Sequence, residues 1–510
     1  MDKNQENLKE LYSLLSKADR LVHTIEVINY DMETAAPKMG MQDDGDDISY
    51  LSEELFKVLH SPKYKELVIE LKENISAFDE FDQRLITLLF REIEQEKNIT
   101  PEFDNKRTKL FNDAYITWIN AKEKNDYSLF KDTLKTIYEN EKEYVELQEH
   151  YNKDNYYDTL LSRYEEGFST KDLDPFFDDL EKEIVPLLRA VKNAKYSPRH
   201  DFLHRIVPIS KQEEFSNFLM SFNKFDFNRG SMSTTEHPFT AQLSYNDVRI
   251  TTHYFEDNFI SNMYSIIHEG GHALFGQNIK EEVFTHHLGE GSLSMAKHES
   301  VSRFYENIIG RSKEYIHAIY PHFHELFKEE LGDVSEDDLY EGVNYVDLNN
   351  KLRTEADELT YSLHIIIRYK LEKLIMSGKA DFNNLDKEWN KLYKEILDID
   401  NNDAKTGILQ DVHWASGFGY FPTYAMGNAL NCIYVKKMDK EIGFKDTISQ
   451  GKMDLVLDWM RQNVFAKAPL YDTKDWIKNL TGEEFSAKAY TDYLKDKFMA
   501  IYHLTEADLK

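Results

Sequence analysis

Apolar residues recur through the first 200 positions at the spacing of a helix face. Leu8, Leu11, Leu14 and Leu15, then Leu21, Ile25 and Ile28, are separated by charged residues. The same 3.6-residue period returns in Leu67, Ile69 and Leu71, and in Leu85, Leu88, Leu89 and Ile93. The pattern predicts helices over residues 1–30, 49–59, several within 62–149, and 173–193, with residues 31–40 as a loop. Near residue 225 the texture changes. Residues 225–233 read as a loop. Residues 241–245 and 248–254 then alternate β-branched or aromatic side chains with polar ones around an Asn246-Asp247 turn, which is strand periodicity. An edge of such a hairpin offers main-chain hydrogen bonds to an extended peptide. Helical patterns follow at 265–274, 296–306 and 352–371. Residues 407–424 mix glycine, aromatic and polar residues in the manner of a loop that lines a site. No internal repeat or low-complexity linker divides the chain. We expect one domain over 1–510, with 1–225 a helical wall or lid and 226–510 the chemical portion.

Composition supports long helices, because only 11 Pro and 20 Gly occur in 510 residues. A formal net charge of −30 repels phosphate and argues against nucleic acid as a partner. No run of apolar residues reaches the length of a membrane span, and the N-terminus lacks the basic-then-apolar pattern of a secretory signal. The lone cysteine, Cys432, excludes an internal disulfide framework and fits a buried core thiol in a reducing compartment. The expectation is a cytoplasmic protein.

The chemistry concentrates in one stretch, Ser265 to Leu274, which contains His268-Glu269-Gly270-Gly271-His272. Helical residues four apart share a face, so His268 and His272 point at one place, with Glu269 beside it. Two imidazoles, an adjacent carboxylate and an open coordination position form the core of a zinc peptidase. Each glycine costs a helix about 1 kcal/mol relative to Ala, so the Gly-Gly pair implies close approach of neighbouring backbone.

Catalytic zinc usually takes a third protein ligand. Six histidines fall within residues 253–298, and His286, His287, Glu290, His298 and Glu299 all follow His272. A carboxylate on a second helix suits the role, which favours Glu299, with His298 or Ser302 supporting it. Spacing alone leaves Glu290 and His287 open.

Further motifs carry a resemblance. In order along the chain stand His237-Pro238-Phe239, Asp247-Val248-Arg249-Ile250-Thr251, the His268–His272 motif, His298-Glu299-Ser300, Arg353-Thr354-Glu355-Ala356-Asp357, and Gly407 through Gln410-Asp411 to His413-Trp414. Together they resemble the carboxypeptidase Taq family of metallocarboxypeptidases: HPF, DxRxT, HExxH, HES, IRxxAD and GxxQDxHW. Leu352 stands where that family has Ile, Val301 where it has Gln, and His253 where Arg is expected.

The resemblance implies a mainly α, gluzincin-like zincin body with a small hairpin or sheet beside a deep substrate channel. It implies His268, His272 and Glu299 as metal ligands, Zn2+ or Co2+ as the metal, and a homodimer. The activity implied is stepwise removal of C-terminal residues from peptides, with broad specificity and poor turnover of C-terminal proline. In that mechanism Glu269 is the general base, and Tyr420, Tyr424 or His413 assists at the oxyanion. A free C-terminal carboxylate calls for an arginine fork, for which Arg353 is the first candidate and Arg249 the second. His237 and Gln410 accompany them as substrate-binding candidates, and Asp357 and Asp411 as orienting groups. The competing readings are a helical zinc oligopeptidase or dipeptidase that cuts other bonds, and a non-catalytic peptide-binding relative.

Overall fold

A computed structural model describes residues 2–289 and 293–509. Helices dominate it, and the described strands form a single three-stranded sheet. The first helix, Lys3–Thr34, starts where the Asp2 side chain accepts from the Asn4 amide. It outruns the expected break at residue 31. The next, Met41–Leu59, begins well before residue 49, because Asp43 and Asp44 stabilise its first turn despite Gly45. Between residues 62 and 149 the predicted periodicity resolves into Pro62–Glu73, Glu80–Glu96, Pro101–Glu123 and Lys131–Glu146. Proline at the first helical position and Ser61 or Thr100 as caps fix two of those starts.

The hairpin is present, with a third strand added. β1 (Met232–Thr234) runs parallel to β3 (Asp247–Thr252), and β3 pairs antiparallel with β2 (Thr240–Ser244), giving the order β1-β3-β2. Met232 and Ser233 are therefore strand rather than loop. On β3, Val248 and Ile250 are fully buried. This strand packs against the helix that carries the HExxH motif, Phe259–Asn278.

Two more boundaries differ from the sequence reading. Arg353–Glu355 is an isolated 3-10 turn, and Asp357 caps a separate helix, Glu358–Met376, through the Thr360 amide. Arg353 thus precedes the helix instead of riding on it. Pro422 opens the helix Pro422–Ile442, so Tyr424 lies in a first helical turn and not in the preceding loop.

One large apolar core runs from Ala114 to Tyr502. A smaller core joins the N-terminal helices, through Leu8, Leu11, Leu67 and Leu71, to Ile279, Val283 and Leu288 just beyond the HExxH helix. A third contact sets Tyr30 against Ala241 and Leu243 of β2, and His23 Nδ1 donates to the Leu243 carbonyl at 2.7 Å. The N-terminal helices are thereby pinned to the sheet edge beside the site. Among the described residues no helix is long and apolar enough to cross a membrane.

Candidate metal centre and substrate cleft

The HExxH helix starts at Asn258, whose side chain accepts from the Ser261 amide, and buries Ile266, Ile267, Ala273 and Leu274. Its glycines answer the question they raised. A Cβ on Gly271 would stand 2.8 Å from Ser302 Cα and 3.2 Å from the Val301 carbonyl oxygen. A Cβ on Gly427 would meet Glu299 Cγ at 3.0 Å. Three helices, Phe259–Asn278, Met295–Arg303 and Pro422–Ile442, therefore approach one another closely at the level of Glu299.

That approach delivers the candidate ligands to one point. His268 Nε2 and His272 Nε2 each lie 3.7 Å from Glu299 Oε2, and one ligand atom from each residue falls within 4.8 Å of the others. The remaining atoms of the three residues are engaged elsewhere. His268 Nδ1 donates to Glu306 Oε2 at 2.8 Å, His272 Nδ1 contacts His298 Nδ1 at 2.6 Å, and Arg303 Nε donates to Glu299 Oε1 at 2.8 Å. A hydrogen bond donated from Nδ1 leaves the Nε2 lone pair as the coordinating position of a neutral imidazole, as His268 does toward Glu306 and as His272 does in the tautomer that donates to His298. Two such nitrogens and a carboxylate oxygen converge as the donor set of a divalent metal. Among the described residues two further carboxylate–histidine clusters stand apart and are more exposed: Asp79 and Asp82 at the start of Glu80–Glu96 with His286 just after Glu281–Thr285, and Glu94 with Glu149 and His150 in the turn after Lys131–Glu146.

Glu269 stands beside this centre. Its Oε2 accepts from Thr240 Oγ1 at 2.6 Å, and the same hydroxyl reaches the Glu269 carbonyl at 2.9 Å. Burial pushes the Glu269 carboxyl up from its ordinary value, while His268 and the Thr240 hydroxyl oppose the rise. A cavity of about 300 Å³ opens over the group. Glu269, His272 and Glu299 line one side, Pro238, Phe239 and Thr240 another, and Tyr420 and Tyr424 a third.

The model of one family, the carboxypeptidase Taq (M32) metallopeptidases, matches residues 10–498. The chain belongs to that family. It is 36% identical over 502 residues to Carboxypeptidase 1 of Bacillus subtilis (strain 168), covering 97% of this chain and 99% of the relative. It is 32% identical over 513 residues to Thermostable carboxypeptidase 1 of Pyrococcus furiosus, with the same coverage. Among solved structures, an M32 carboxypeptidase from Deinococcus radiodurans R1 superposes with a TM-score of 0.93 at 28% identity, over 99% of this chain and 100% of that one. A Pyrococcus furiosus carboxypeptidase superposes at 0.91 with 31% identity, over 97% and 99%. The protein is a metallocarboxypeptidase, with the mainly helical body and small sheet expected of it.

Within this M32 chain the other candidates are placed unevenly. Tyr420 and Tyr424 face the cavity with their rings edge to face at 5.3 Å. His413 Nε2 lies 3.2 Å from the Tyr424 hydroxyl. Burial lowers the His413 imidazole to about 4, against the pull of Asp411, so the ring is neutral near pH 7. Arg353 is only 7% exposed, and its partner is neither Glu355 nor Asp357. Its Nε and Nη2 donate to Asp411 Oδ1 at 3.0 and 2.8 Å, and Nη1 to the Tyr361 hydroxyl at 3.2 Å. The other Asp411 oxygen accepts from Arg368 Nε at 2.7 Å. Gln410 Oε1 takes the Arg353 amide and Arg368 Nη2, and its Nε2 donates to the carbonyls of Lys351 and Thr406. The structure thus places Gln410 as an internal brace for both arginines, away from the cavity wall.

Arg249 forks onto Asp247, with Nε–Oδ1 at 2.9 Å and Nη2–Oδ2 at 2.7 Å, and its guanidinium lies over the Tyr30 ring. His237 is exposed, while the two residues after it line the cavity. His286 and His287 are not at the centre: His286 Nδ1 contacts the Glu282 carbonyl, and His287 Nδ1 contacts Asp19 on the first helix. Glu290 lies outside the described residues. Val301 is fully buried, and His253 Nε2 contacts Ser261 Oγ at 2.6 Å away from the cavity lining. Cys432 is buried, as expected. The sequence reading passed over Thr240, Arg303 and Glu306. Glu306 had a legible signal, since it stands seven residues past Glu299 and so returns to the same helix face.

Proposed function

We propose that this metallocarboxypeptidase holds zinc through His268, His272 and Glu299, and removes single C-terminal residues from peptides with Glu269 as general base. The observation that carries the reading is Glu269 lining the same cavity as His272 and Glu299, two of the three residues whose ligand atoms converge. A divalent cation bound there supplies a Lewis acid and lowers the pKa of water. Glu269 takes the proton of the attacking water and passes it to the leaving amine. Thr240 holds the Glu269 oxygen toward the cavity during that exchange. The Tyr420 and Tyr424 hydroxyls donate to the carbonyl oxygen as negative charge gathers on it, and the neutral His413 ring orients Tyr424 through Nε2.

An exopeptidase must also meet the terminal carboxylate. Arg353 and Arg368 share the single carboxylate of Asp411, so the cluster keeps one net positive charge, with the Arg353 guanidinium 5.0 Å from the centre of the Tyr424 ring. We assign the recognition of the carboxylate to that surplus charge, with Arg353 behind the Tyr424 ring that lines the cavity. Arg249 is the second candidate, and His237 stays a candidate at the cavity rim.

The finer expectations belong to the same proposal. They are one domain over 1–510 with 1–225 as wall, a cytoplasmic homodimer, broad specificity, poor turnover of C-terminal proline, and cobalt as an alternative metal. A time course on an unblocked peptide, read by mass spectrometry with and without chelator, tests the core. Single-residue ladders from the C-terminus that chelation abolishes support it. Equal cleavage of the C-terminally amidated peptide sinks it.

A further inference from the structure

Behind the cavity, one buried glutamate holds the segment that carries His413 and Tyr420 and leads into the helical turn of Tyr424. Glu372, on the helix Glu358–Met376, is 1% exposed. Its Oε1 accepts from Trp414 Nε1 at 2.8 Å, and its Oε2 accepts from the Gly419 amide at 2.9 Å and the Tyr157 hydroxyl at 2.6 Å. Trp414 directly follows His413, and Gly419 directly precedes Tyr420. Gly419 holds a φ of +101°, and Gly417 one of +113°, so the chain between the two anchors follows a path open to few other residues. Tyr157 belongs to the helix Tyr156–Tyr164, whose last residue packs its ring edge-on against Tyr420 at 5.3 Å. Glu141 lies against Gly417 but is paired with Arg107, so the loop's own donors converge on Glu372.

We infer that Glu372 is a positioning residue for the peptidase reaction: by binding Trp414 and Gly419 together it fixes the loop that sets His413, Tyr420 and Tyr424 against the metal centre. The inference rests on the proposed role of those tyrosines at the scissile carbonyl. Three donors converge on one carboxyl group and use both of its oxygens as acceptors, a pattern the carboxylate meets without a proton of its own to place. Burial pushes the Glu372 carboxyl up to about 7 even against the pull of the three donors, so the positioning role rests on the geometry of those bonds.

Glu372→Gln keeps the shape and breaks the pattern. Whichever way the amide turns, its NH2 faces a donor: Trp414 on one side, or Tyr157 and Gly419 on the other. The expected result is a kcat lower by about tenfold or more, with KM and metal content within about twofold, because the displaced groups act on the transition state. The deciding measurement is a double-mutant cycle with Tyr420→Phe. If Glu372 acts through the tyrosine, adding Glu372→Gln to Tyr420→Phe costs much less than it costs wild type. Equal factors in the two backgrounds, or a loss confined to KM or metal content, overturn the inference. Should Glu372→Gln not fold, Tyr157→Phe removes one donor and leaves the carboxylate, and its smaller loss must show the same non-additivity. A Tyr420→Phe, Tyr424→Phe double variant with wild-type kcat defeats the proposed role of the tyrosines themselves. That result is separate from one in which the tyrosines matter and Glu372 does not.

Discussion

His268 donates from Nδ1 to Glu306 Oε2 at 2.8 Å, and this contact decides which of its nitrogens is left for a metal. Arg303 also binds that oxygen, through Nη1 at 3.1 Å. Burial works against a charge on Glu306, but Arg303 and His268 outweigh it and bring the carboxyl down to about 2. Glu306 is therefore a carboxylate acceptor at any pH where the enzyme would work. Glu306→Gln replaces it with a neutral amide, which binds the imidazole more weakly and turns an NH2 toward Arg303 or His268. Metal affinity, measured by competition with a chromogenic chelator, should fall about 10- to 100-fold. Affinity within twofold of wild type would remove Glu306 from the account.

Thr240 gives a prediction in pH. Its hydroxyl stabilises the Glu269 carboxylate against a burial that favours the protonated form. Thr240→Val is nearly isosteric and deletes that bond together with the hydroxyl's contact to the Glu269 carbonyl. The Glu269 carboxyl then rises further, and less of it is available as base on the acid side. The acid limb of the kcat/KM profile should move to higher pH while the metal content is unchanged. An unmoved limb would mean that another group controls it.

How far the sequence leads can be judged residue by residue. The helix spacing of His268 and His272 was local, and so was legible. The choice of Glu299 over Glu290 or His287 depends on packing between helices, which spacing does not encode. Arg353 shows the limit most clearly. It read as the fork for a terminal carboxylate with Asp411 as a separate orienting group, yet the two are partners 58 residues apart, and nothing in the local pattern announces that pair. Thr240 was hidden for the same reason, being a strand residue whose importance comes from facing Glu269 across the sheet–helix boundary. The helix starts at Glu358 and Pro422 were misplaced where a single capping group or a proline outweighed the wider composition, and that at Met41 where two acidic residues in the first turn did so.

The Arg353–Asp411–Arg368 cluster carries a stability prediction. Burial would raise the Asp411 carboxyl, but Arg368 and Arg353 hold it well below the usual carboxylate range. A folded-state value below the unfolded one gives stability that is present above the unfolded value, about 3.9, and lost as pH falls toward the folded one. Asp411→Asn leaves two guanidinium groups buried without a counter-charge, so unfolding at pH 7 should become easier by about 3–5 kcal/mol. The gap from wild type should narrow as pH drops below about 4. Denaturant titrations at a series of pH values check both parts. A gap constant with pH would show that the loss is one of packing and not of charge.

Gly270 and Gly271 are adjacent and chemically identical, yet alanine should affect them differently. At Gly270 a new Cβ would meet Met220 Sδ at 2.6 Å and Cε at 2.7 Å, the far end of a flexible side chain. Methionine has three rotatable bonds, so it moves aside at the cost of some core overpacking. At Gly271 the Cβ would meet Ser302 Cα at 2.8 Å and the Val301 carbonyl oxygen at 3.2 Å. That backbone belongs to the helix carrying Glu299 and has no rotamer to change, so the helix itself must shift away from His268 and His272. Gly271→Ala should therefore lose metal affinity by about tenfold or more, since ligand geometry tolerates only about 0.5 Å. Gly270→Ala should keep it within about twofold, whatever its effect on unfolding. Metal content after dialysis, with chelator titration of both variants, separates the cases. Equal affinities would mean that the close helix contact at Gly271 does not set the position of Glu299.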